Sequence, residues 1–354
     1  MNVYIDTDIF DHIIQIPGIS IIRNLPDFLE SSGPKKAIFH APFPRHLDFA
    51  SLKDTFNRIY NHCDELILLV SELHDITMDF IQDFDKPKIT LFLNGDININ
   101  LVHAKQYHWD NWFETTTEFY KHNQFLLDKL SPYTVKPKYF DILLGQERQH
   151  RTEIFSYINA NGLAEQTIMT YINGIHPSFQ ERQDTEWLWE REGLEIPDWP
   201  IRHTITKVKY YDQLISLSQV IPITVYNQTA YTVVAETWGT DNRFTFNTEK
   251  IVKPILAERL FLVASNQYYL RNLRAMGFKT FDGIIDESYD LEPDVVKRCA
   301  MICEQIQYLV NQPQQLILDK IRPITEHNHY LMMTTNWHGN FTKELQAVLL
   351  DHID

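Results

Sequence analysis

The chain has 354 residues, long for one hydrophobic core and comfortable for two domains of ordinary size. Apolar residues make up 44% and charged residues 22%, the balance of a globular protein, and no apolar run reaches the roughly 18–20 residues that span a bilayer. Lysine and arginine total 32 against 47 acidic residues, a formal charge of −15 whose field repels phosphate backbones and argues against a general nucleic-acid binder.

The N-terminus reads Met-Asn-Val-Tyr-Ile-Asp, with an acid where a signal peptide carries positive charge, so a cytoplasmic protein is expected. Three cysteines agree with a reducing compartment: Cys63 stands alone, and Cys299 and Cys303 share a helical face without a second pair to complete a metal site. Glycine is scarce, 11 residues, with neither a Gly-x-Gly-x-x-Gly loop nor a Walker lysine loop. A bound phosphate must therefore be held by helix termini and side chains.

Short apolar runs predict strands at Val3–Ile5, Ile19–Ile22, Ala37–Phe39, Leu66–Val70 and Ile89–Leu93, with amphipathic helical patterns near 8–16, 48–60 and 73–84 between them. That alternation is the signature of a parallel sheet with helices on its faces, in which ligands sit beyond the C-terminal strand ends. The pattern from Tyr107 to Leu130 reads as helical. Ser131 to Lys138, with Pro132 and Pro137, reads as a linker, which places a boundary between domains 1–134 and 135–354. A second alternating series begins at Phe140–Leu144 and includes Thr167–Tyr171. Residues 173–207 show no clear period, regularity resumes at Tyr210, and the tail from Asp294 is helical.

The most informative stretch is Val233 to Asp290. Val-Val-Ala-Glu at 233–236 reads as a buried strand with a carboxylate, Glu236, at its tip. Thr248 suits a helix N-cap, with Glu249 and Lys250 in the first turn, and Leu260–Ala264 reads as the next strand. A strand tip, a helix N-terminus and a lysine favour an anion there, because free N–H groups and the ammonium both attract it. The strand Phe140–Leu144 is likewise followed by Arg148, His150 and Arg151 at the start of a helix, and arginine can clamp a diphosphate through two hydrogen bonds.

This block resembles the nucleotide-sugar-binding motif of fucosyltransferase-like glycosyltransferases of the GT-B architecture, on the Glu236 strand and on Thr248-Glu249-Lys250. The resemblance is firm over the C-terminal third, weak in the middle and nearly absent from the N-terminal half. It implies two Rossmann-like domains facing a cleft, with C-terminal helices. It further implies a nucleoside-diphosphate sugar as donor, an acceptor hydroxyl on a glycan or another compound, and no cofactor. Donor-binding residues would be Arg148, Arg151, Glu236, Thr248, Glu249 and Lys250. Inverting transfer needs a general base from the first domain. Glu72, directly after the strand Leu66–Val70, is the preferred candidate, with His40 beside it and His46 and Asp96 as rivals. No metal is expected. Asp6-Thr7-Asp8 lies too near the N-terminus for the metal-binding Asp-x-Asp of the GT-A fold, and Asp8 suits a helix N-cap. His327-Asn328-His329 lacks a third ligand.

Two alternatives remain open at this level. One is a phage-type DNA glycosyltransferase acting on a modified base, which would need Lys35, Lys36, Arg45 and Lys53 to gather at the cleft. The other is a non-catalytic nucleotide-binding protein.

Overall fold

A computed structural model of the chain describes residues 1–5, 17–41, 49–70, 84–97, 100–172, 192, 194, 207–240 and 244–351. Its contacts separate two units, Met1–Asn111 with Asn336–Asp354, and Trp112–Thr335. The sequence places the boundary at 134/135. By contacts, residues 112–134 group with the second unit and 336–354 return to the first. No described helix is long and apolar enough to cross a membrane.

The first unit is built on six strands: β1 (Asn2–Ile5), β2 (Ser20–Ile22), β3 (Lys35–Ala41), β4 (Glu65–Val70), β5 (Ile89–Asn94) and β6 (Lys105–Trp109). They pair in the order β2-β1-β3-β4-β5-β6, every pair parallel. Helices α1 (Leu25–Glu30) and α2 (Phe49–His62) lie on the connections. Every residue of β4 and β5 is buried, which explains why these strands read as unbroken apolar runs: both faces are covered. One face carries Val3, Ile5, Ile38, Ile67, Leu69, Phe92 and Trp109, and the final helix, His338–Leu350, lays Phe341, Leu345, Val348 and Leu349 on it. The Phe341 ring stacks on Trp109 with centroids 4.5 Å apart.

A buried lysine fixes that helix at its end. Lys36 Nζ donates to the carbonyls of Val348 (2.5 Å) and Asp351 (2.7 Å) and to Glu65 Oε2 (2.9 Å), while Thr90 donates to Glu65 Oε1. The exposed last carbonyls of a helix carry partial negative charge, and a cation there satisfies them.

The expected strands and the helix over 48–60 are present within a residue or two, whereas the helices expected near 8–16 and 73–84 lie almost entirely outside the described residues. One expectation fails. Tyr107 does not begin a helix but sits inside β6, and the helix α3 starts only at Asn111, running to His122, followed by a 3-10 segment at Gln124–Lys129. Lys-Gln-Tyr-His-Trp buries only Trp109 and pairs with β5 alone among the described strands, so ladder pairing rather than amphipathic spacing makes it a strand.

In the second unit, β7 (Lys138–Gln146), α4 (Gln149–Ala160) and β8 (Thr167–Ile172) form one step of a parallel sheet. A hairpin of β9 (Lys207–Tyr210) and β10 (Gln213–Ser216) follows. Then β11 (Thr229–Ala235), α5 (Glu249–Leu256) and β12 (Phe261–Ala264) form the second step. The order is β12-β11-β7-β8, again all parallel. Helices α6 (Tyr269–Ala275), α7 (Val295–Val310) and α8 (Gln314–Thr334) complete the unit. The segment read as a linker is held within it: the Gln314 side chain accepts from Lys136 N (2.7 Å) and donates to Lys136 O (3.1 Å).

Toward the N-terminal ends of β7 and β11, Arg259 ties the two strands together. It donates to Asp141 Oδ1 on β7 (2.7 Å), to Thr229 Oγ1 and Thr232 Oγ1 on β11, and to the carbonyls of Tyr226, Thr229 and Tyr231. Both members of the pair are buried.

Candidate active site

Parallel sheets offer a binding crevice where two neighbouring strands send their connections in opposite directions. In the second unit that point lies between β7, which leads to β8, and β11, which leads to β12. Every residue the sequence singles out for donor binding follows one of these two strands.

Glu236 directly follows β11 and is 1% exposed. Its carboxylate accepts the hydroxyls of Thr248 (2.7 Å, Oε2) and Tyr269 (3.0 Å, Oε1), so it joins the strand tip to the first turns of α5 and α6. Burial raises its pKa, opposed by the Lys250 charge and the two hydroxyl donors. Thr248 is the α5 N-cap: its Oγ1 accepts from Lys250 N at 3.2 Å. Lys250 Nζ lies 2.9 Å from Glu249 Oε1, with Thr237 and Thr248 hydroxyls at 3.4 and 3.3 Å. Burial opposes ionisation of Glu249, but Lys250 and Lys253 outweigh it and hold the carboxyl below its ordinary range. The Lys250 side chain keeps 29% exposure against 8% for Glu249, so the ammonium is the part of this pair that solvent or a ligand reaches.

The β7 side supplies the second half. Arg148 is the α4 N-cap residue, half-buried, with its guanidinium 5.1 Å from the centroid of the Trp238 ring. Arg151 is 5% exposed and lies across the end of β11, where Nη2 donates to the carbonyls of Ala235 (3.3 Å) and Glu236 (2.9 Å). Gly145 leaves it room, since a Cβ there would come 3.3 Å from Nη1. The structure thus brings Arg148, Arg151, Glu236, Thr248, Glu249 and Lys250 together at the switch point of the sheet, and divides them. Lys250 and Arg148 are partly exposed. Glu236 and Arg151 are enclosed: the Glu236 carboxylate accepts the Thr248 and Tyr269 hydroxyls, and Arg151 holds main-chain carbonyls.

Three contributors carry no legible signal in the sequence. His150 is 1% exposed and donates from Nε2 to Glu236 O at 2.9 Å. Burial, then the Arg151 charge, push its pKa down to about 3, so the ring is neutral. Arg298, in α7, donates from Nη2 to Gly239 O (2.7 Å) and from Nη1 to Glu292 O. Tyr269 is the Glu236 donor already described. His150 stands in the run quoted above, without a sign that it would be buried, and nothing in the sequence marks Arg298 or Tyr269.

In the first unit the strand connections diverge between β1 and β3. His40 belongs to β3, near its C-terminal end and paired with Leu69 on β4, and its side chain is outside what is described. Glu72, His46, Asp6 and Asp8 lie outside the described residues, and Asp96 is described by its backbone alone. Lys35 and Lys36 begin β3 at the opposite end of the strand. Lys36 is committed to Glu65 and the final helix, and Lys35 Nζ donates to Leu29 O, so neither lines the switch point. Asp286, Glu287 and Asp290 serve local structure: Asp290 accepts from Leu270 N and Arg271 N at the start of α6, and Glu287 accepts from Phe281 N and Thr280.

No protein-family model and no curated protein matches this sequence. Among solved structures the chain is similar to UDP-forming α,α-trehalose-phosphate synthases from Burkholderia vietnamiensis and Burkholderia xenovorans. The identities are 13% and 11%, over 90% of this chain and 70% and 68% of theirs, with TM-scores of 0.37 and 0.36.

Proposed function

We propose that the chain is a GT-B-type glycosyltransferase that moves a sugar from a nucleoside-diphosphate donor to an acceptor hydroxyl, with inversion and without a metal. The observation that carries this reading is the gathering of two helix N-termini, α4 and α5, and the cations Arg148 and Lys250 over the switch point of a parallel sheet. As the glycosidic bond breaks, negative charge grows on the departing diphosphate. An ammonium and fixed N–H dipoles in a water-poor crevice stabilise that charge more than they stabilise the bound donor, which is the requirement for acceleration. Glu249, kept ionised beside Lys250, holds that ammonium in the site. Glu72 is assigned as the base that takes the acceptor proton, with His40 next in order, because its place just after a strand of the first unit matches the resemblance.

A panel of nucleoside diphosphates (UDP, GDP, ADP, CDP), scored by thermal shift and then by titration calorimetry, tests the donor site. One of them should raise the melting temperature in a saturable way and Lys250→Ala should remove the effect. No response to any of the four would overturn the reading.

A further inference from the structure

We propose that Arg298 and His150 are positioning residues for the donor site, acting through the turn Glu236–Thr240, and that Gly239 is the position where this turn closes on them. The inference rests on the donor-site reading above and adds to it residues outside the resemblance.

The turn leaves the tip of β11 and carries three groups of the crevice: Glu236, Thr237 beside Lys250 Nζ, and Trp238 under Arg148. Buried donors from two different helices hold its backbone. From α4, His150 Nε2 and Arg151 Nη2 both donate to Glu236 O at 2.9 Å. From α7, Arg298, 2% exposed, donates to Gly239 O at 2.7 Å. Ser265, just past β12, donates to Trp238 O at 3.1 Å. Four consecutive residues with three carbonyls bound by buried or half-buried side chains leave the turn one conformation.

Gly239 shows why the fit is close. It is not among the residues with positive φ, so glycine is not needed for backbone freedom. It is needed for space. A Cβ there would lie 2.7 Å from both Cγ and Nδ1 of His150, closer than real side chains approach. The imidazole cannot turn away without giving up its bond to Glu236 O. Because that carbonyl only accepts, the proton of the neutral ring sits on Nε2 and Nδ1 presents a lone pair to the glycine, with no hydrogen-bond partner among the described residues. Any side chain at 239 must therefore lift the turn from the ring, carrying Thr237 and Trp238 away from Lys250 and Arg148.

The test is a double-mutant cycle on Gly239→Ala and His150→Ala, with Arg298→Lys alongside, reading the dissociation constant of whichever nucleoside diphosphate binds the wild-type chain, and the thermal melt of each variant. Gly239→Ala should weaken binding tenfold or more, yet cost less than threefold when His150→Ala has already vacated the space. Arg298→Lys, which keeps the charge but not the two-carbonyl reach, should weaken binding at least fivefold with its melt within a few degrees of wild type. It stands in for the cycle if Gly239→Ala fails to fold. Equal costs of Gly239→Ala in both backgrounds, or an unchanged affinity in Arg298→Lys, would overturn this inference alone. A wild-type chain that binds no nucleoside diphosphate would overturn the donor-site reading and this inference with it.

Discussion

Replacing Arg259 by methionine removes the cross-tie between β7 and β11 while keeping a long apolar stem. Six donations disappear at once, to Asp141, to two threonine hydroxyls and to three main-chain carbonyls. The largest consequence is the Asp141 carboxylate, 1% exposed, left without its cation. Stripping one partner from a buried pair costs about 3–5 kcal/mol. The hydroxyls of Thr229 and Thr232 still donate to Asp141 and moderate that cost. The three carbonyls add to it, each about 1 kcal/mol or more. A net loss of at least about 3–5 kcal/mol at pH 7 is therefore expected in urea unfolding followed by far-UV circular dichroism.

The loss should depend on pH in a stated direction. Burial already raises the Asp141 pKa above its ordinary 3.8, opposed chiefly by Arg259. Without the guanidinium it rises further. A carboxyl whose folded pKa exceeds its unfolded one is protonated first in the native state, so the native state is favoured most in acid and loses stability as pH rises through the folded value. The deficit of Arg259→Met should be smaller at pH 5 than at pH 8, and adding Asp141→Asn should recover a large part of it. A deficit below about 1 kcal/mol at pH 7, less than the lower figure for a buried pair, would refute the assignment. So would one that deepens toward acid.

Lys250→Ala should abolish donor use with the fold intact, since its removal withdraws several kcal/mol of stabilisation from the departing diphosphate; unchanged turnover would take Lys250 out of the site. Glu72→Gln should lower transfer roughly a hundredfold or more and leave donor affinity nearly unchanged, measured by initial rates beside calorimetry. Preserved transfer would move the base to His40, His46 or Asp96. Exhaustive treatment with EDTA should leave the rate unaltered, and strict recovery on magnesium or manganese would count against a metal-independent displacement. Lys36→Met should destabilise the first unit by about 3–5 kcal/mol, because Glu65 stays buried without its cation and the last helix loses its terminal donor. A chemical-denaturation midpoint equal to wild type would show that the final helix is held by Phe341 and its apolar neighbours alone.

The sequence by itself determined the parallel α/β class, because β4 and β5, buried on both faces, must be continuous apolar runs, and because Thr248 and the spacing after it spell a helix start. It also determined which strand ends carry polar residues, and so grouped Glu236, Arg148 and Lys250 after two strands before any contact was known. Other features arose only in three dimensions. β6 owes its strand conformation to pairing with β5, which no periodicity records. Residues 336–354 group with the first unit because Phe341, Leu345 and Lys36, more than 300 positions apart, find each other on one sheet. Arg151, read as a diphosphate clamp, turned out to bind main-chain carbonyls at the end of β11, since burial leaves a guanidinium to seek the nearest acceptors. Arg298 and Gly239 could not be read at all: each matters through a distance to a residue from another helix, and distances between elements are set by packing, not by the local alphabet.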